Sequence, residues 1–117
     1  MSKKLQRVGI MSAVLLSLAL AACSGRTNNG TPWEIEKLRD GWTLIHMGTT
    51  RKPVAVRENR FRGGYDIVYP DGTTKWTPNR PKVIEDLRRE GKAQFQVEQG
   101  AVDEVADLLE RSWDGSL

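Results

Sequence analysis

The sequence has 117 residues, which is the length of one small domain. It contains a single cysteine, so no disulfide within the chain can stabilise that domain. The formal net charge of +3 comes entirely from Lys3, Lys4 and Arg7, because the other 15 of the 18 basic residues match the 15 acidic ones in number, and this balance gives no support for a nucleic-acid-binding protein.

The N-terminal segment combines a basic start with an apolar run. The run has 15 residues, from Val8 to Ala22, and is interrupted only by Gly9, Ser12 and Ser17. A helix that crosses a bilayer needs about 20 apolar residues, so this run is short for a permanent span. Its length and flanks are typical of a secretory signal peptide. An uncleaved membrane anchor is the alternative interpretation.

The end of the apolar run contains the only cysteine. Leu20-Ala21-Ala22-Cys23 resembles the lipobox of bacterial lipoproteins, with a leucine three positions before the cysteine and an alanine directly before it. The resemblance covers residues 1–23 only. It implies a signal peptide over 1–22 that is removed before Cys23, whose thiol then carries diacylglycerol and whose new amino group is acylated. A buried free cysteine that follows a signal is the alternative interpretation.

The lipid implied at Cys23 determines the expected location. Each buried methylene contributes about 0.8 kcal/mol, so two or more acyl chains hold a protein firmly in its leaflet. In lipoproteins of double-membraned bacteria, aspartate after the cysteine favours the inner membrane, whereas Ser24 here implies transfer to the outer membrane. We therefore expect an outer-membrane, lipid-anchored protein of the bacterial envelope, with a periplasmic domain and no cofactor besides the covalent lipid.

The chain after the signal divides into a tether and one domain. Residues 24–31 contain no apolar side chain and many turn formers, which predicts a flexible lipidated tether over 23–31 and a single domain over 32–117. Charge is uneven along this domain: residues 51–82 hold eight basic and three acidic side chains, and residues 83–117 hold four and nine. Either the two parts mix their charges on folding, or the molecule presents one charged face to a partner.

The first half of the domain is predicted to contain one helix and four strands. Residues 32–41 are predicted as a short helix, because Thr31 can cap it, Pro32 suits its first position and Glu34 lies three after the cap. Alternating side chains then predict strands, the last two forming a hairpin about the turn Pro70-Asp71-Gly72. These strands cover residues 42–47, 52–57, 65–69 and 73–77.

The second half is predicted to be mainly helical. Residues 81–90 form a helix that ends at Gly91, with Glu85 and Arg89 paired on its surface. Strict alternation predicts a strand over 93–99, and an apolar stripe predicts a helix over 101–113. The order α-β-β-β-β-α-β-α indicates an α+β fold: a small antiparallel sheet of about four to five strands with helices on one face.

The sequence offers no convincing catalytic set. His46 is the only histidine, and we expect it to be a structural, hydrogen-bonded residue on a strand. Catalysis would need a nucleophile beside an oriented base, and zinc would need cysteine or histidine at set spacing. The acidic face of the last helix (Asp103, Glu104, Asp107 and Glu110) is interpreted as solvated. We expect no enzyme activity and no metal.

The stretch most typical of a binding surface runs from Arg51 to Gly64. Arg57, Arg60 and Arg62 surround Phe61 near a pair of glycines. Guanidinium groups bind phosphate and carboxylate with two hydrogen bonds, so this stretch predicts contact with an anionic partner. Lipid head groups, lipopolysaccharide phosphates and peptidoglycan carboxylates are the anions of an envelope. The alternative is a solvated loop whose arginines pair with the acidic last helix.

Two functions fit these features. The first is a non-catalytic periplasmic binding or adaptor domain that acts in envelope assembly or maintenance, with an envelope protein or an anionic envelope component as partner. The second is a phage- or plasmid-type exclusion or inhibitor lipoprotein that blocks an incoming factor or a wall-degrading enzyme. Nucleic acid is not an expected partner, because the signal directs the chain out of the cytoplasm.

Overall fold

A computed structural model describes residues 19–116 of the chain. The basic start and most of the apolar run lie outside these residues. The described part contains six strands followed by two helices. They are β1 (Ala19–Arg26), β2 (Pro32–Leu38), β3 (Thr43–Met47), β4 (Val54–Glu58), β5 (Tyr65–Val68), β6 (Thr74–Thr77), α1 (Arg80–Phe95) and α2 (Gln99–Trp113).

The six strands form one antiparallel sheet in the order β1-β2-β3-β4-β5-β6. Each strand pairs with the one before it through a short connection, so the sheet is a simple meander. The α+β class is confirmed. The sheet has six strands, whereas four to five were predicted, because β1 and β2 both come from segments that were expected to be something else.

Both helices pack on one face of the sheet, here called the covered face. Ile45 and Ile67 are 0% and 1% exposed at its centre, and Val105 and Leu109 of α2 are 0% exposed above it. Side chains on the covered face alternate with side chains on the other face, here called the open face. Within residues 19–116 no element packs on the open face, which carries Trp42, Leu44, His46, Ala55, Arg57, Asp66, Val68 and Trp76.

The prediction of a helix over residues 32–41 is wrong. Trp33 and Ile35 face the core, while Glu34 and Glu36 face away from it, which is the period of a strand and not of a helix. β2 gains backbone hydrogen bonds on both sides, from β1 and from β3. Local capping signals at Thr31 and Pro32 do not outweigh this pairing.

The flexible tether expected over residues 23–31 differs from the structure. Cys23 to Arg26 belong to β1 and pair with β2. The connection is a compact turn: Thr27 is 5% exposed, its amide donates to the Thr31 carbonyl, and the Gly30 amide donates to the Thr27 carbonyl. Polar residues form this turn because their side chains satisfy its backbone groups.

The predicted helix end at Gly91 and the predicted strand over 93–99 are also wrong. α1 continues to Phe95 and ends where Gln96 adopts a left-handed conformation with φ 55°. Gly91 lies where α1 meets α2, since a Cβ atom built there would be 2.5 Å from Cγ1 of Val102. The glycine therefore permits close helix packing and does not end the helix. Phe95 is buried at 1% exposure as the last turn of the helix.

The remaining elements agree with the sequence patterns. The hairpin forms as predicted, with Gly72 at φ 89° and Asp71 accepting hydrogen bonds from the amide and hydroxyl of Thr73. The surface pair of Glu85 and Arg89 is present at 3.9 Å. The apolar stripe of the last helix is buried, although the helix starts two residues earlier than predicted. In the described part of the chain, no helix is long and apolar enough to cross a membrane.

Candidate functional site

The arginine loop, defined as residues 57–64, is held in shape by Asn59. The Asn59 side-chain oxygen accepts hydrogen bonds from the amides of Phe61 at 3.0 Å and Arg62 at 2.9 Å. Its backbone bonds Gly63 and Gly64 across the loop, each at 2.9 Å. Its side-chain amide donates to both oxygens of Asp66. One asparagine therefore fixes the turn and links it to β5.

Gly64 lies where the loop meets β6 and has no room for a side chain. Its φ is 69°, and a Cβ atom there would lie 2.3 Å from the carbonyl oxygen of Thr77 on β6. The loop thus folds tightly against the neighbouring strand. Phe61 is forced outward at the tip and is fully exposed, the one large hydrophobic side chain so exposed among the described residues. A phenyl ring held outside the fold by a rigid turn offers apolar surface to a partner.

A pocket of about 390 Å³ opens beside the loop. We call it the loop pocket. Its wall contains three arginines, three carboxylates, one asparagine and one phenylalanine. The lining residues are Arg39, Asp40, Arg57, Glu58, Asn59, Arg60, Phe61 and Asp66. The pocket is therefore polar and charge-balanced, which suits a ligand that offers both an acidic group and hydrogen-bond donors.

The arginines of the pocket are available to a ligand. Among residues 19–116, the guanidinium groups of Arg39, Arg57 and Arg60 make no ion pair within 4.0 Å and no hydrogen bond. The loop arginines therefore do not pair with the acidic last helix, as the alternative interpretation expected. That helix pairs with α1 instead, through Arg88 and the carboxylates of Asp103 and Asp107.

Two tryptophans of the open face position two of the predicted arginines. The Arg57 guanidinium lies 4.4 Å from the ring centre of Trp42, and that of Arg62 lies 4.0 Å from the ring centre of Trp76. The Trp76 ring is itself fixed by a 2.7 Å hydrogen bond from Nε1 to the Gly63 carbonyl. Stacking leaves the edges of a guanidinium free to bind an anion while it holds the group in place.

The structure thus brings together all four residues predicted to bind a partner, but it divides their roles. Arg57 and Arg60 line the loop pocket, Phe61 lines it and forms the tip, and Arg62 stacks away from it on Trp76. Sequence reasoning missed Arg39, Trp42 and Trp76. The tertiary structure places them on one surface: Arg39 lines the pocket, Trp42 stacks on Arg57, and Trp76 is opposite Asp66 in the strand register.

A second polar cluster lies on the open face between β2 and β3. Glu34 is directly opposite His46 in the strand register, and Glu36 is two residues further along the same face. His46 Nε2 lies 3.0 Å from Glu36 Oε1. Nε2 is shielded from solvent, and nothing in the described chain meets it with good hydrogen-bond geometry. The expectation of a hydrogen-bonded structural histidine is therefore not met at this atom.

The residues that resemble a lipobox fall on the edge strand of the sheet. Cys23 lies in β1 opposite Ile35, and its side chain is half-buried. It lines a small hollow of about 80 Å³ with Ala21, Ala22, Lys37 and Ser112. Lys37 Nζ donates a 2.8 Å hydrogen bond to the Ser112 carbonyl, so this hollow lies beside the end of α2. The backbone of Leu20 also belongs to β1.

Comparison with known proteins does not add a family to this description. No protein-family model matches the chain, and no match is found among curated proteins or among solved structures.

Proposed function

We propose that the protein is an outer-membrane-anchored bacterial lipoprotein whose periplasmic domain acts as a non-catalytic binding module in envelope assembly or maintenance. The lipobox at residues 20–23 supports the location. The loop pocket supports the binding role. The single observation that carries the binding role is a set of unpaired guanidinium groups beside a fully exposed Phe61 on a rigid turn.

The lining of the loop pocket favours one kind of partner. Arg39, Arg57 and Arg60 attract an acidic group, while Asp40, Glu58 and Asp66 repel a surface that is anionic throughout. A partner that carries carboxylates next to amino or amide groups matches both the arginines and the carboxylates of the pocket. Among the anions of an envelope, the peptides of peptidoglycan have this composition, whereas a phosphate-rich lipid surface does not. We therefore propose peptidoglycan peptides or a protein segment of similar chemistry as the partner.

The position of Cys23 fits an anchor close to the domain. Removal of residues 1–22 would leave β1 as Cys23 to Arg26, still paired with β2. The acyl chains would then leave the molecule from the edge of the sheet, with no flexible spacer between lipid and domain. The loop pocket, built from the β2–β3 turn and the β4–β5 loop, would be held near the membrane at a fixed orientation.

The lipid anchor is tested by labelling. Cys23→Ala should abolish incorporation of labelled palmitate and leave an uncleaved or soluble product. The matched control is Ser24→Ala, which keeps the thiol and should label normally. Normal labelling of the Cys23→Ala protein would contradict the anchor.

The binding role is tested by co-sedimentation of the purified chain with peptidoglycan sacculi and with lipopolysaccharide. Arg60→Ser is the cleanest variant, because Arg60 is exposed and makes no ion pair or hydrogen bond with residues 19–116. Adding Arg57→Ser and Arg62→Ser should weaken binding further, but also removes two stacking contacts worth about 0.5–1 kcal/mol each. A control of equal charge loss is Arg51→Ser, Lys52→Ser and Arg111→Ser.

The proposal predicts that the chain sediments with sacculi. Arg60→Ser should weaken this binding at least about tenfold, as truncation of a main binding residue does. The control triple should leave the binding unchanged. If the chain binds lipopolysaccharide more tightly than sacculi, phosphate would be the group that it recognises. Equal losses from the triple variant of Arg57, Arg60 and Arg62 and from the control triple would show that only bulk charge matters, and would contradict a role for the loop pocket.

A further inference from the structure

We infer that Glu34, Glu36 and His46 form a binding site for a divalent transition-metal ion, with zinc as the best match. This inference is independent of the lipid anchor and of the loop pocket. The three side chains project from neighbouring strands on the open face. One nitrogen of the imidazole and one oxygen of each carboxylate lie within 4.8 Å of one another.

The geometry of the cluster is close to that of a ligand set. Zinc bonds of about 2.0–2.2 Å in a tetrahedron place two ligand atoms roughly 3.3 Å apart. His46 Nε2 and Glu36 Oε1 are already 3.0 Å apart. Glu34 is the direct cross-strand neighbour of His46, where side chains come within reach of each other. Small rotations of two glutamate side chains would therefore complete three positions of a tetrahedron.

The cluster has no basic partner other than His46 among the described residues, which points to the same conclusion. His46 Nε2 is shielded and has no hydrogen bond of good geometry within the described residues. Within residues 19–116, neither glutamate forms an ion pair with a lysine or an arginine. Two carboxylates at one place repel each other unless a cation lies between them. A divalent ion would bind the imidazole nitrogen and neutralise both carboxylates.

The chemistry of the donors selects the class of metal. One imidazole nitrogen with two carboxylate oxygens suits zinc and its first-row neighbours, whereas magnesium and calcium prefer oxygen ligands alone. Three protein ligands leave one tetrahedral position for water or for a side chain of a partner. Because the cluster lies on the open face, that position would be accessible from outside the protein.

The single histidine of the chain makes a direct test possible. We would titrate zinc into the purified full-length chain in detergent, carrying Cys23→Ala so that no thiol competes, and follow the only imidazole by nitrogen NMR. Zinc is expected to shift the Nε2 resonance and to raise the unfolding midpoint, and magnesium is expected to do neither. An Nε2 resonance that zinc leaves unmoved would overturn the inference.

Variants separate the cluster from adventitious binding. Glu34→Gln, Glu36→Gln and His46→Gln should each weaken zinc binding at least about tenfold, since even loss of a supporting group around a metal costs 10–100-fold. Glu110→Gln, an exposed glutamate on α2, is the matched control and should bind as the parent does. Equal affinity of the Glu34, Glu36 and Glu110 variants for zinc would contradict the site. Zinc binding at two sites that do not involve the imidazole would contradict it too.

Discussion

The two faces of the sheet are built from the same strands but are held in different ways. The covered face is filled by apolar side chains that touch both helices, and its central residues have almost no solvent exposure. The open face has no helix over it in the described chain. Its side chains are half-exposed and are positioned by stacking and polar contacts, such as those of Arg57 on Trp42 and Arg62 on Trp76.

This difference suggests a division of labour within one small domain. The covered face supplies the hydrophobic stabilisation that a chain without disulfides needs. The open face is then free to carry arginines, carboxylates and an imidazole that contribute little to folding. Substitutions on the two faces should therefore separate stability from binding.

The largest expected effect compares adjacent residues of β3. Ile45 is 0% exposed on the covered face, and Leu44 is half-exposed on the open face. Ile45→Ala should lower the free energy of unfolding by about 3–4 kcal/mol, because it leaves a cavity in a packed core. Leu44→Ala should cost less than half as much. Chemical denaturation measures both, and similar losses would show that the open face is also a core.

A smaller effect is expected where the helices meet. Gly91→Ala places a methyl group 2.5 Å from Val102 Cγ1. We expect a loss of about 1–2 kcal/mol, because the overpacking cost exceeds the gain in helix propensity. Gly100→Ala is the control on α2, since a Cβ atom there meets nothing within 4 Å, and it should stabilise the protein slightly. Val102→Ala is itself costly because Val102 is 0% exposed, but Gly91→Ala should cost less in that background than in the wild type. A stabilising Gly91→Ala would refute the close contact.

A substitution in the arginine loop should reduce partner binding more than stability, whereas a substitution in the core should mainly reduce stability. Asn59→Ala removes the hydrogen bonds to the Phe61 and Arg62 amides and to Asp66. We expect a modest loss of about 1 kcal/mol in stability, but a large loss of partner binding, because Phe61 and Arg60 are no longer presented together. Calorimetry and co-sedimentation on the same samples measure the two effects. If Asn59→Ala destabilises the loop but still binds the partner fully, binding does not depend on the rigid shape of the arginine loop.

The smallest effect concerns a hydroxyl on the covered face. Tyr69 is 5% exposed, and its hydroxyl has no hydrogen-bond partner among residues 19–116. Burial, reinforced by the negative charges of Asp86 and Glu90, raises the pKa of Tyr69 to about 12 from 10.0. Tyr69→Phe should therefore leave stability at pH 7 unchanged or raise it by up to about 1 kcal/mol.

The raised pKa of Tyr69 also gives this prediction a pH dependence. The folded protein holds the phenol proton more tightly than the unfolded chain, so stability does not depend on this ionisation below about pH 10 and falls as the pH rises toward about 12. The wild-type chain should lose more stability than Tyr69→Phe across this range. Unfolding midpoints measured in parallel would show the difference, and parallel curves would contradict the burial of the phenol.

The sequence predicted the covered face better than the open face, for a physical reason. Alternation and helical stripes report which side chains are buried, so β3, the β5–β6 hairpin and α2 were placed correctly. Local capping signals predict a helix for the segment of Glu34 and Glu36, and a helix there would separate both glutamates from His46. Their proximity depends on strand register, which short-range patterns do not encode.

The candidate binding site was predicted in part. A run of arginines around Phe61 is visible in the sequence, and all four predicted residues lie in the arginine loop. The contribution of Arg39 and the two stacking tryptophans required the tertiary fold, because they come from the β2–β3 turn and from β6. The role of Gly91 required it too, since a glycine between helical residues is by itself a signal for a helix end.

The most direct test of the binding role is crosslinking from the tip of the arginine loop in living cells. A photoreactive phenylalanine analogue at position 61 should form a specific adduct with an envelope component, and Arg60→Ser should abolish it. The same analogue at position 110, on the exposed side of α2, should give no such adduct. Equal crosslinking from both positions, or an adduct that Arg60→Ser leaves unchanged, would contradict the assignment of partner binding to this surface.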